Sequence, residues 1–325
     1  TISSLKVAAN TELNVAQSKT LSGSTEVAAN KTLTLSGTGT FGSALNLLGT
    51  LKAGANLTVS GLISVAGNSA VSIPAAGTTL TYSGGDLNVG SHTLSIGGAG
   101  TFSNATGSPL VLDVADSILS LTGNGTISGP VKLESGTLKS TGSPTVSGAM
   151  TQYSDATIEV STNQTLTYSG APFSLGANTL TLTGGGTLVS GGLDLNNANS
   201  KLLLNSITVD SVSTTIDNSL GVDVDNDSTI TSLSVANITP VSIASGKTLS
   251  GAITVTAGSI NLDETGTLAS TVEMSGGVLD ADESSIVSGT LSHTADITID
   301  VADNKTLTYS GSAISVGANT ITLSG

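Results

Sequence analysis

The sequence contains no cysteine, no tryptophan and no arginine, and among its 325 residues only three phenylalanines and four tyrosines. Without cysteine there is no disulfide framework, so any stability must come from packing and backbone hydrogen bonds. Without arginine, and with nine lysines against 23 acidic residues and a formal charge of −14, the chain lacks the clustered cations that nucleic acid or an anionic membrane surface would need. No apolar run approaches the roughly 20 residues that span a bilayer, so no membrane insertion is expected within this segment. The scarcity of aromatics argues against an ordinary globular enzyme core and against rows of β-sandwich domains, which pin two sheets together with large rings or a disulfide.

What is present is aliphatic and hydroxylated. Hydrophobic residues make up 38% of the chain and charged residues only 10%. The apolar residues are mostly Val, Leu, Ile and Ala, which suit a narrow interior filled by stacked side chains. Polarity is carried by Ser, Thr, Asn and Gly, and the mean hydropathy of +0.29 indicates a folded chain.

Internal repeats decide the fold class. Asn163 to Gly184 reads NQTLTYSGAPFSLGANTLTLTG and Asn304 to Gly325 reads NKTLTYSGSAISVGANTITLSG, identical at 15 of 22 positions. A third copy, GTTLTYSGGDLNVGSHTLSIGG, runs from Gly77 to Gly98, and shorter echoes occur at Asn30 to Gly37, Ser18 to Gly23 and Gly246 to Gly251. A second motif, Gly-Thr followed by Leu, Phe or Ile, recurs at irregular spacing, as at Gly39, Gly100, Gly125 and Gly186. Within each copy apolar and hydroxyl residues alternate with period two, the mark of a strand with one face buried. Gly, Ser-Gly and Asn-Lys clusters between the strands supply corners.

These features predict an all-β chain with essentially no helix: a parallel β-helix, or β-solenoid, of variable rung length. Rungs of about 20 to 30 residues would give on the order of a dozen turns. The connection rule for parallel strands favours right-handed coiling. Residues 1–325 read as a single solenoid segment of a longer chain or assembly.

Strings such as Val27-Ala28-Ala29-Asn30-Lys31-Thr32-Leu33-Thr34-Leu35-Ser36-Gly37 and Gly184-Gly185-Gly186-Thr187-Leu188 resemble the rungs of bacterial surface proteins of the filamentous-haemagglutinin and autotransporter-passenger type. The resemblance is at the level of repeats and extends along nearly the whole chain. It implies a right-handed parallel β-helix exported to the cell surface as a stalk, fibre or adhesin, extracellular in location. Its expected partners are the chain itself, by end-to-end or lateral assembly, and surface glycans or proteins. The alternatives are a specific glycan- or protein-binding adhesin and a polysaccharide-active β-helix enzyme.

For an enzyme the residues offer little. The two histidines, His92 and His293, fall in separate repeats and read as exposed rung residues. No catalytic residue and no organic cofactor is expected. The one metal candidate is Asp223, Asp225 and Asp227, alternate carboxylates that could turn together as hard oxygen ligands for calcium. The run lacks the Gly and distal Glu of a complete calcium loop, and a solvated acidic turn is the plainer reading. Asp280, Asp282 and Glu283 form a second acidic group. Paired threonines, such as Thr32/Thr34, Thr165/Thr167 and Thr179/Thr181, suggest a flat hydroxyl array of the ice-binding kind. Such pairs are missing from most of 189–237, where a continuous array would need them, so the plainer reading prevails: Thr is simply a soluble residue suited to outward strand positions. Eight Asn-x-Ser/Thr sequons, among them those at Asn30, Asn104, Asn163 and Asn304, are near chance frequency for this composition.

Overall fold

The computed structural model describes residues 2–216 and 220–325, in which every regular element is a β-strand and the strands pair in parallel. The chain divides into two compact units, Thr1–Ala171 and Pro172–Gly325. In each, it winds repeatedly through three faces in the same order and lays eight strands on the second face. The strands thus stack as a β-solenoid of about 16 turns in all.

The turns are shorter and more numerous than the repeats suggest. Leu33 lies beside Leu51, eighteen residues on, whereas Val71 lies beside Ile96, twenty-five residues on. Some corners are reduced to two residues, as between the strands Ala44–Leu47 and Thr50–Ala53. Others are turns of five or more, and this is the source of the irregular motif spacing.

Period-two alternation sends one side chain in and the next out. On the second face of the first unit Leu94, Leu119, Leu138 and Ile158 stack in one column, each 0% exposed. Burying each aliphatic side chain stabilises the fold by about 1.5–3 kcal/mol. The three phenylalanines, Phe41, Phe102 and Phe173, all point inward, as do Tyr82 and Tyr168. Wide residues are therefore used sparingly, and mostly inside; Tyr153, 61% exposed, is an exception.

The motif Asn-Lys-Thr is a corner followed by a strand. Asn30, Asn163 and Asn304 have φ of 59°, 62° and 61°. Each is the third residue of a β-turn closed by an amide three residues after the carbonyl it bonds, as in Lys31 to Ala28 (3.1 Å) and Gln164 to Ser161 (2.9 Å). Asn tolerates this left-handed conformation, and Gly77 and Gly246 occupy the equivalent place in other copies. The shorter echo beginning at Asn30 opens the second face, but the full copies at Gly77, Asn163 and Asn304 open the third. One corner-plus-strand unit thus serves two faces.

Where the third face turns into the first, backbones stack closely. A Cβ on Gly148 would lie 1.9 Å from the carbonyl oxygen of Gly129 in the turn below, so only glycine fits. In the second unit this corner changes character. Thr208–Thr214, Ser228–Val235 and Thr248–Val255 run through it as continuous strands, each pairing on both sides of the bend.

Candidate functional site

In the strand Gly221–Asn226 Asp223 and Asp225 alternate along the outward side of the second face, and Asp227 follows at the next corner. Asp223 forms an ion pair with Lys201 of the preceding turn. The Asp227 carboxylate accepts the amide of Thr248, a turn later, at 2.8 Å. Asp223 and Asp227 are thereby drawn to different partners, and among the described residues no group of three or more His, Asp or Glu side chains is placed to hold a metal ion. Asp227 instead does what Asn and Asp do at many corners. Asn10, Asn56, Asn68 and Asp296 likewise accept the amide of a Thr at or just before the start of a strand one turn later, at 2.7–3.0 Å.

The second acidic group belongs to a longer array whose spacing the sequence hides. Asp280 lies directly beside Asp300 on adjacent turns, and Asp263 and Asp282 follow the paired Leu262 and Ala281. Asp263 also accepts the Ser242 hydroxyl at 3.3 Å, and its other carboxyl oxygen is buried without a hydrogen-bond partner. Burial pushes the Asp263 carboxyl above the usual range against the pull of the Ser242 hydroxyl, with Asp282, Asp223 and Glu264 adding to the rise. For Asp280 burial again acts first, followed by Asp282 and Asp300. Asp210 goes the other way. Burial alone would raise it, but the Ser190 amide and hydroxyl and the amides of Gly191 and Ser211 together hold it below the usual value.

Neither histidine is fully exposed. His293 takes an inward position beside Met274; its Nδ1 lies 2.9 Å from the Ala295 carbonyl and its Nε2 is buried without a partner. Among the sequons, Asn104 is 5% exposed and its amide donates to the carbonyls of Ser108 (3.1 Å) and Pro130 (2.8 Å), so the folded turn leaves no room for a glycan there.

The tyrosines of the long repeats have a role that composition did not suggest. In each copy the Tyr hydroxyl accepts a first-face amide of the preceding turn: Tyr82 that of Ile63 (3.3 Å), Tyr168 that of Met150 (3.2 Å) and Tyr309 that of Leu291 (3.2 Å). Tyr168 and Tyr309 also donate, to the carbonyls of Ala171 and Ser312, both at 2.5 Å. Burial holds the Tyr82 hydroxyl above the ordinary phenol value despite the Ile63 amide, with Asp86 adding to the rise. These are the places where the first-face ladder stops. The four strands ending with Ile63–Val65 form one sheet, and those beginning with Leu87–Asn88 form another.

The third face of the first unit carries the most regular outward pattern. Thr20, Thr40, Thr58, Thr81 and Ser103 lie side by side on successive turns, and Ser128, Ser147 and Ser169 continue the column just past paired residues. Two residues earlier along the strands, Thr79, Thr101, Thr126, Thr145 and Thr167 form a second column. The Gly-Thr motif supplies much of this register. None of these hydroxyls hydrogen-bonds to a protein group, except Ser147, 3.5 Å from the Ile127 carbonyl. No charged residue occurs in the eight strands of this face. In the second unit the corresponding column is broken by Ile286, which lies between Thr267 and Thr308. The Thr-x-Thr pairs of the sequence are divided between faces: Thr32/Thr34 and Thr179/Thr181 on the second, Thr165/Thr167 on the third.

No family model, no curated protein and no solved structure matches this chain.

Proposed function

We propose that this chain is a structural element of an extracellular surface, a stalk or filament-forming fibre segment of the kind its repeats resemble, with adhesion as its outward task and other copies of itself as its first partner. The observation that carries the proposal is the second-face ladder, eight parallel strands in each unit with aliphatic columns behind them. In such a ladder the backbone of each turn is hydrogen-bonded to the turns on either side, so the chain resists local opening and proteolysis. The outward carboxylates of this face, among them Glu12, Glu159, Asp223, Asp225, Asp280 and Asp300, suit solubility. The proposal assigns the chain no catalysis.

Electron microscopy of the purified chain, together with digestion by a non-specific protease, tests it. Uniform fibres, or isolated particles that survive digestion as intact chains, support the structural reading. Particles that are digested as fast as an unfolded chain overturn it.

A further inference from the structure

We propose that the third face of the first unit is an ice-binding surface, whose two hydroxyl columns anchor a first layer of water in lattice-like order. Neighbouring strands lie about 4.7–4.9 Å apart, and residues two apart in a strand about 6.6–6.8 Å, so backbone geometry fixes both repeats of the array. Both repeats are close to those of oxygen rows on exposed planes of hexagonal ice. Water held at each hydroxyl therefore sits near a position that growing ice would fill.

Three observations make this face different from the others. Its hydroxyl column passes through all eight turns of the unit without a gap, and a column of threonines accompanies it over the last five. Its strands carry no charge, whereas outward positions of the other faces hold the ion pairs Lys6–Glu26 and Lys139–Glu159. Its hydroxyls, Ser147 apart, make no hydrogen bond to a protein group, whereas the outward Ser24 of the first face donates to the Ser3 carbonyl. Threonine also suits the task because β-branching stiffens χ1, so each hydroxyl is held in place beside a methyl group that water cannot penetrate.

Other occupants fit less well. One column over eight turns with a second over five makes a patch no larger than about 34 Å by 7 Å on these spacings, well short of the roughly 800 Å² per partner of a stable protein interface. A glycan would use aromatic platforms, and every Tyr and Phe in these strands faces inward. The absence of lysine from the strands disfavours phosphate.

The proposal is independent of the fibre reading, since a chain that forms no fibres could still bind ice. The test is to grow ice slowly in a dilute solution of the full chain, measure the protein in the ice against that in the liquid, and watch single crystals for faceting. The native chain is expected to be enriched in the ice and to facet crystals. Thr126→Tyr with Thr145→Tyr should abolish both effects, whereas Thr157→Tyr, outward on the second face, should leave them intact. Ser128→Thr with Ser147→Thr should increase enrichment, a gain that misfolding cannot mimic. Exclusion of the native chain from ice at the level of an inert protein overturns the proposal, as does equal loss from the third-face and second-face variants.

Discussion

The hydroxyl of Tyr168 accepts the backbone amide of Met150, eighteen residues earlier, at 3.2 Å, and donates to the carbonyl of Ala171. A side chain thereby completes a ladder that the backbone leaves unfinished. Tyr168→Phe keeps the ring and removes both bonds, leaving a buried amide unpaired, which costs about 1–3 kcal/mol. Urea unfolding of the variant should show a lower midpoint with an unchanged slope. An unchanged midpoint would mean that water satisfies the Met150 amide, and the capping role would fail.

Gly148→Ala places a methyl carbon against the Gly129 carbonyl oxygen. Overpacking of this kind costs about 1–3 kcal/mol and sometimes more, since the backbone must move. Gly107, with nothing within 4 Å of its added Cβ, is the control. Thermal unfolding should separate the two variants clearly, and similar melting temperatures would refute close stacking at this corner.

The carboxylates of the second unit give a pH dependence of unusual sign. Asp263 and Asp280 titrate above the ordinary carboxylate value, raised by burial and by neighbouring acids. Their favourable contribution is therefore complete below the unfolded value of about 3.9 and is lost as the pH rises through the elevated folded value. Asp210, held low by hydrogen bonds, behaves oppositely and loses its contribution as the pH falls through its depressed folded value. Asp263→Asn with Asp280→Asn should raise the urea midpoint at neutral pH and change it little near pH 4, the ordinary carboxylate range. A double variant less stable at neutral pH would show that the ionised carboxylates are favourable.

Asp227 is expected to act as a corner cap. Asp227→Ala removes the acceptor of the Thr248 amide; the carboxylate's charge strengthens this bond but its exposure to solvent offsets that, so the loss should be about 1 kcal/mol. The same loss should appear in calcium and in chelator. A native midpoint that rises steeply with added calcium, and a variant that does not respond, would instead assign the Asp223, Asp225 and Asp227 run to a metal.

Much of the fold was legible because period-two alternation and matched repeats report directly on strands and stacking. Leu166 and Tyr168 could be placed inward from the pattern alone, and they are 0% and 2% exposed. Turn length was less legible, since a two-residue corner such as Leu48-Gly49 carries no stronger signal than a longer one. The hydroxyl columns were hidden for a related reason. Thr101 and Thr126 are twenty-five residues apart but Thr126 and Thr145 nineteen, so no fixed period aligns them. The Asp280–Asp300 pairing was obscured in the same way, and so were the partners of Asp223 and Asp227, Lys201 and Thr248, which lie a turn away. His293 was misplaced because one polar residue in an inward column looks like an outward one until the register is known.

The tyrosine rungs bear on how such a chain can change over generations. Where Tyr82 caps the turn below, the sheet ending with Ile63–Val65 and the sheet beginning with Leu87–Asn88 need not share a hydrogen-bond register. A block of turns bounded by such rungs can be duplicated, deleted or exchanged while the first-face pairing within the flanking blocks survives. The tyrosine copies are in this sense seams, and the match of Asn163–Gly184 to Asn304–Gly325 at 15 of 22 positions marks where recombination would do least harm.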